Sequence, residues 1–239
     1  MNLVEKIQKM GFENAESLIR AGYVKVNDQI CWLPSQKISG LEQISINQKF
    51  PYVSRGALKL LAAHKQFLLD FSNKIILDIG ASAGGFTEIC LEKGAKKVFA
   101  LDSGTNQLDY KLRVDPRVKV MEKTNIRLVN PAFFSDSLDF VVCDVSFISL
   151  KKVLVVVKNL LESGKFFLAL LKPQFEASSK YVEKGGFVNE KYHQFLINRV
   201  VEFAKADFEL IDSMKSPIKG LKAKNIEYFL LFRRKNDKL

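Results

Sequence analysis

Residues 77–86, Leu77-Asp78-Ile79-Gly80-Ala81-Ser82-Ala83-Gly84-Gly85-Phe86, pass from an apolar strand through small side chains into a helix. Small residues let backbone approach a ligand closely, and a helix start offers N–H groups without intrahelical partners. That is the chemistry of a nucleotide-cofactor loop, with a tight structural turn as the alternative. Asp102 ends the next strand, 22 positions after Gly80, where a carboxylate can take both ribose hydroxyls of an adenosine. A dinucleotide enzyme has the same layout, but the G-x-G-x-x-G order suited to a pyrophosphate is not kept. Asp144 directly follows a further strand and faces the crevice used by ligands of open α/β sheets, unless it only caps a helix. Lys172 closes an apolar run and either snorkels outward or is held in the site.

These residues need elements to position them. From residue 74 onward strand and helix signals alternate, which argues an α/β domain with a mainly parallel sheet. The strands are expected at 74–79, 97–101, 118–122, 138–143 and 166–171, with helices between them. A helix over 190–206 precedes two last strands, 208–214 and 226–232, separated by a loop and so antiparallel at one sheet edge. Ser54 is placed to cap a helix through Leu58, Leu61 and Ala62. Before that, Leu3, Ile7 and Met10 recur at helical spacing, as do Ala15, Leu18 and Ile19, and Gly11 and Gly22 end the two runs. A strand from Val24 to Val26 ending in Asn27-Asp28, with a partner at 43–46, completes a small N-terminal unit.

The 239 residues are 47% hydrophobic and carry a formal charge of +11, which describes a folded, soluble protein suited to a polyanionic partner such as nucleic acid. Nearly all the excess charge falls after residue 50. Cys31, Cys90 and Cys143 are odd in number and form no C-x-x-C pair, so neither a disulfide framework nor a metal site is expected, and a reducing cytoplasm fits. No secretion signal follows Met1, and the longest apolar runs fall far short of a membrane span.

The order A..LI..G.V.VN, carried by Ala15, Leu18, Ile19, Gly22, Val24, Val26 and Asn27, resembles the S4 RNA-binding domain. The family's Arg-Leu-Asp opening and Ser-Arg pair are absent. Further on, YVSRGALKL (52–60), LDIGASAGGF (77–86), DVSFISL (144–150), LKPQFEA (171–177), KGGFV (184–188) and SPIKG (216–220) occur in order. Together they resemble the TlyA family, ribosomal RNA 2′-O-methyltransferases once called haemolysins, built from an S4 domain and an FtsJ-like domain.

The resemblance implies an S-adenosylmethionine-dependent, Rossmann-like fold with a seven-stranded, mainly parallel sheet, preceded by a small α+β S4-like domain. It divides the chain into an S4-like segment at 1–47, a linker at 48–53 and a methyltransferase domain at 54–239. It implies a catalytic tetrad of Lys59, Asp144, Lys172 and Glu227, with Lys172 the favoured base, and a cofactor site of Gly80, Ser82, Gly84, Gly85, Phe86, Asp102, Asn125 and Asp144. Ala83 departs from the usual Thr, and Ser103-Gly104-Thr105-Asn106 from a Val-Gly-Tyr-Gly order. The implied partner is ribosomal RNA or a ribosomal subunit, with a cytidine ribose as acceptor. Phe147 and Phe175 are candidates to stack on a displaced base, or plain core aromatics. A membrane-active haemolysin, a catalytically silent RNA-binding assembly factor and a dinucleotide oxidoreductase are the competing classes.

Overall fold

The computed structural model describes residues 1–12, 15–20, 22–46, 52–220 and 223–236. The chain opens with α1 (Leu3–Lys9) and α2 (Ala15–Arg20), followed by β1 (Val24–Val26), β2 (Gln29–Ile30) and β3 (Ile44–Ile46). Asn2 and Glu5 form a reciprocal capping box on α1, which satisfies two otherwise orphaned N–H groups. Asn27 and Asp28 both take positive φ, 49° and 61°, the backbone of a two-residue hairpin turn. That turn pairs β1 with β2, a strand too short and exposed to show in the sequence. Leu3, Ile7, Ala15, Leu18, Ile19, Val24 and Val26 share a small core. Of the expected linker, residues 48–51 lie outside the described residues, while Tyr52 and Val53 pack on the second core.

The larger part contains α3 (Gly56–Gln66), β4 (Ile75–Ile79), α4 (Gly85–Glu92), β5 (Lys97–Leu101), α5 (Tyr110–Arg113), β6 (Val118–Met121), β7 (Leu138–Cys143) and α6 (Leu150–Leu160). It ends with β8 (Leu161–Leu171), α7 (Pro173–Glu176), α8 (His193–Ala204), β9 (Phe208–Lys215) and β10 (Tyr228–Arg234). Its seven strands run β6-β5-β4-β7-β8-β10-β9. The first five are parallel, and β10 is antiparallel to both neighbours. Alternate strand residues feed opposite faces. Leu77, Ile79, Val141, Cys143 and Phe167 pack with α6 and α8, whereas Ile76, Phe140, Val142 and Leu168 pack with α3 and α4. The order reverses between β4 and β7, a topological switch point that opens a crevice at the carboxyl ends of the strands.

Three expectations shift. β8 begins at Leu161 rather than residue 166, because its first half, Glu162 to Gly164, is exposed and carries no apolar signal. The helix with Lys59 starts at Gly56, with Arg55 at its N-cap position and no side-chain cap bond, so Ser54 does not cap it. β10 starts at Tyr228, which leaves Asn225 and Glu227 in the preceding loop.

Candidate active site

Each of four ionisable side chains comes from a different element end. Lys59 lies in the second turn of α3, Asp144 immediately follows β7, Lys172 follows β8, and Glu227 precedes β10. Lys59 and Glu227 are only 4% and 3% exposed. Lys59 Nζ donates to Glu227 Oε2 at 2.7 Å and to Asp144 Oδ2 at 3.4 Å. Lys172 Nζ lies 2.5 Å from Asp144 Oδ1. That contact is an ion pair without hydrogen-bond alignment, and the bond from Lys172 goes to Ser146 Oγ at 3.0 Å. The result is a chain of alternating charge, Glu227–Lys59–Asp144–Lys172, in which two cations match two anions. Buried charges persist when compensated in this way.

The electrostatics follow from this arrangement. Burial opposes the Asp144 charge, yet the Lys59 and Lys172 ammoniums outweigh it and hold the carboxyl at about 2. Burial likewise favours neutral Lys172, but Asp144 and Glu227 prevail and raise it above the ordinary lysine value. The resting Lys172 is therefore an ammonium. It is buried, so it does not snorkel, and Ser149 rather than Asp144 caps α6.

Two adjoining cavities meet at this corner. One, of about 650 Å³, is lined by Lys59, Asp144, Lys172, Glu227, Arg55, Phe147 and Phe175 among others, together with Arg20 and Trp32 of the N-terminal unit. The other, of about 490 Å³, holds Asp102, Asn125, Leu101, Ile126 and Ile148. Gly80, Ser82, Asp144, Ser146 and Phe147 line both. Asp102 accepts backbone N–H bonds from Ser82 at 2.9 Å and Gly104 at 2.7 Å, which aim its carboxylate between the two loops. Gly84, Gly85 and Phe86 do not line the Asp102 cavity, whereas Gly85 and Phe86 line the larger one. Gly84 backs onto Leu108 and Leu112, Gly85 onto Ser54 and Ala57, and the Phe86 ring stacks on Phe229 in the core.

The FtsJ-like methyltransferase family profile matches residues 52–234. The chain belongs to this family. It is 40% identical to Hemolysin A of Brachyspira hyodysenteriae over 239 aligned residues, covering 97% of this chain and 99% of that one. It is 36% identical to the 16S/23S rRNA (cytidine-2′-O)-methyltransferase TlyA of Mycobacterium tuberculosis, covering 95% and 85%. A solved structure from Streptococcus thermophilus that carries a hemolysin name superposes with a TM-score of 0.78 at 39% identity, over 95% of this chain and 83% of that one. Among the described residues no helix is long and apolar enough to cross a membrane.

As an FtsJ-like enzyme the chain uses S-adenosylmethionine, and the donor set of the smaller cavity fits that molecule. It offers a carboxylate for a ribose diol, an apolar slot of Leu101, Ile126 and Ile148, and the Asn125 side chain. Its volume falls within the usual range of small-molecule sites.

Several contributors had no assigned role in the sequence. Burial lowers the Arg55 pKa against the pull of Glu227 and Asp144, which places a further cation beside the tetrad. Glu176 accepts from Ser149 Oγ and from Leu150 N, at 2.6 and 2.7 Å, tying the loop after Asp144 to the helix after Lys172. Asn225, 1% exposed, bonds Val188 N, Gly186 O and Gln174 Oε1 and so ties the loop before β10 to the 186–188 segment and to α7 beside Glu227. Asp78 is fully buried, with Oδ2 bonded to Thr87 and Oδ1 unpartnered. Burial pushes its carboxyl to about 7. Such positions show no local pattern, since their partners lie far along the chain, 51 positions apart for Asn225 and Gln174.

Proposed function

We propose that this chain methylates the 2′-hydroxyl of a cytidine in ribosomal RNA, in the cytoplasm, on a ribosomal subunit or its precursor. The observation that supports it is the paired Lys59 and Lys172 ammoniums on Asp144, at the corner shared by the two cavities. The smaller cavity takes the cofactor through Gly80, Ser82, Asp102, Asn125 and Asp144, with Gly85 and Phe86 on the adjoining wall of the larger cavity and Gly84 behind them. The larger takes the target nucleotide. Residues 1–47 act as an S4-like RNA-binding module, 48–53 as the linker and 54–239 as the methyltransferase.

Bound S-adenosylmethionine supplies an electrophilic methyl group and a positive sulfonium charge. A positive charge at the shared corner would disfavour a second one on Lys172, whose proton would then pass to solvent. The neutral Lys172 amine would then accept the 2′-hydroxyl proton, leaving the oxygen free to take the methyl group that the cofactor would supply. Lys59 holds Asp144, and Glu227 holds Lys59 and balances its charge. Phe147 is 85% exposed with φ of 65°, a strained backbone for a non-glycine residue. Its ring, 5.1 Å from Phe175, is offered to the displaced base.

The test is transfer of labelled methyl to purified ribosomal subunits, with mapping of the modified ribose. Methylation that persists on RNA carrying a 2′-deoxy nucleotide at the mapped position would overturn the assignment.

A further inference from the structure

Beyond the catalytic corner, one face interleaves aromatic rings with cations that methyl transfer does not use. Short 3-10 turns at Ser179–Tyr181 and Glu190–Tyr192 bring Tyr181 within 4.7 Å of Tyr192 and 6.0 Å of Phe195, centroid to centroid. Each ring carries a cation. Lys180 lies 4.8 Å from the Tyr181 centroid, Lys191 5.0 Å from Tyr192 and Arg199 5.6 Å from Phe195. Farther along, Lys151 of α6 lies 5.6 Å from Phe203. Phe195, Arg199 and Phe203 recur every four residues, which sets them in one row on α8.

The opposite side of α8, with Leu196, Ile197, Val200 and Ala204, faces the core. The outer row does not: Phe195 and Phe203 stay 47% and 45% exposed. Single exposed hydrophobics are ordinary, but a row with a cation on every ring is not scatter. Among the described residues, Lys151, Lys180, Lys191 and Arg199 make no ion pair with a carboxylate. Of the neighbouring acids, Glu202 is already paired with Lys205 at 2.6 Å. Tyr181 and Tyr192 are half-buried; ring faces left open stack unpaired bases, and unpaired cations neutralise phosphates.

The row is continuous with the site. Gly185 and Gly186, between the two turns in the chain, line the larger cavity. Lys151 and Arg199 also act electrostatically on Glu176, next to Phe175.

We propose that this face binds unpaired RNA flanking the target nucleotide, with bases on Tyr181, Tyr192 and Phe195 and phosphates on Lys180, Lys191 and Arg199. The proposal rests on the reading of the chain as an RNA methyltransferase. It is tested with the full chain on protein-free ribosomal RNA, on a short unpaired RNA oligonucleotide and on intact subunits, over a series of salt concentrations. Lys191→Gln with Arg199→Gln should weaken binding to both protein-free RNAs and flatten the logarithmic salt dependence by about 1.5, because two phosphates are no longer neutralised. Phe195→Ser should weaken binding about 5- to 150-fold with the salt slope unchanged. Affinity for S-adenosylmethionine and turnover at saturating RNA should stay at the wild-type level, which also verifies folding.

Equal RNA affinity and slope in wild type and variants would overturn the proposal. So would a loss seen only with intact subunits, which would assign the face to a ribosomal protein. Wild-type protein that binds RNA through this face but transfers no methyl group would instead sink the methylation reading and leave the RNA-binding face standing.

Discussion

Asp78→Asn should stabilise the protein increasingly as pH rises, because Asp78 is a buried acid whose charged form has no adequate partner. Its carboxyl titrates near 7 in the folded protein, against 3.8 for the ordinary group. Between those values the folded state holds a proton that the unfolded chain has lost. Stability from this group is therefore full at low pH and drains away as pH climbs from about 4 to 7, with no further change above. From pH 5 to pH 8 the group crosses about two units on the folded side, worth about 3 kcal/mol at 1.36 kcal/mol per unit. The asparagine keeps an acceptor for Thr87 and cannot ionise, so its own cost of an unpaired buried amide is the same at every pH. Asp144, held near 2, stays ionised throughout the window. Urea unfolding of both proteins at pH 5, 6, 7 and 8 isolates the effect as a difference of differences. The variant should gain about 3 kcal/mol on wild type across the series, roughly 1 M in midpoint. A gap independent of pH would refute the assignment of an uncompensated buried carboxyl.

Lys172→Ala should keep the fold and S-adenosylmethionine binding while methyl transfer falls about 100- to 10,000-fold, as followed by labelled methyl incorporation. Lys59→Ala, Asp144→Ala and Glu227→Ala should each be severely impaired, and their double variants far from additive, because the four charges form one network. Since Lys172 rests protonated, turnover should rise about tenfold per pH unit from 6 to 9 when chemistry limits the rate; a plateau below pH 7 would move the base elsewhere. Asp102→Ala should weaken S-adenosylmethionine by about 1.5 to 3 kcal/mol in calorimetry. Removing residues 1–47 should cost salt-dependent RNA affinity and spare cofactor binding, whereas equal affinity would make that segment a packing cap.

Three parallel strands, β4, β5 and β7, were legible because each is a short apolar run buried on both faces, and β5 and β7 fall on the residues expected. The start of β8 was not, since an exposed strand half has nothing to bury. The tetrad was legible only through its motifs. Lys59 reaches Asp144 across 85 positions and Glu227 across 168, and no local spacing encodes such contacts. The sign of the Lys172 shift also lay beyond the sequence, because it depends on whether two carboxylates at particular distances outweigh burial.

The glycine loop carries the largest change in physical interpretation. Its small residues suggest backbone held close to a ligand, yet much of what crowds them is protein. A Cβ on Gly80 would stand 2.7 Å from the Asp144 carbonyl oxygen, one on Gly85 2.7 Å from the Ala57 backbone nitrogen, and one on Gly84 2.2 Å from Leu112. Gly80 and Gly84 also take φ of 84° and 98°, which a side chain strains further. Gly80 lets the turn after β4 press on the segment that bears Asp144, and Gly85 lets α4 seat against the start of the helix that bears Lys59. Gly80, which lines the Asp102 cavity, and Gly85 together thus fix the separation of Lys59 from Asp144. A side chain at Gly80 would push Asp144 out of the corner where both cavities meet, so the shape of that corner and the spacing of the four charges are set by one packing constraint.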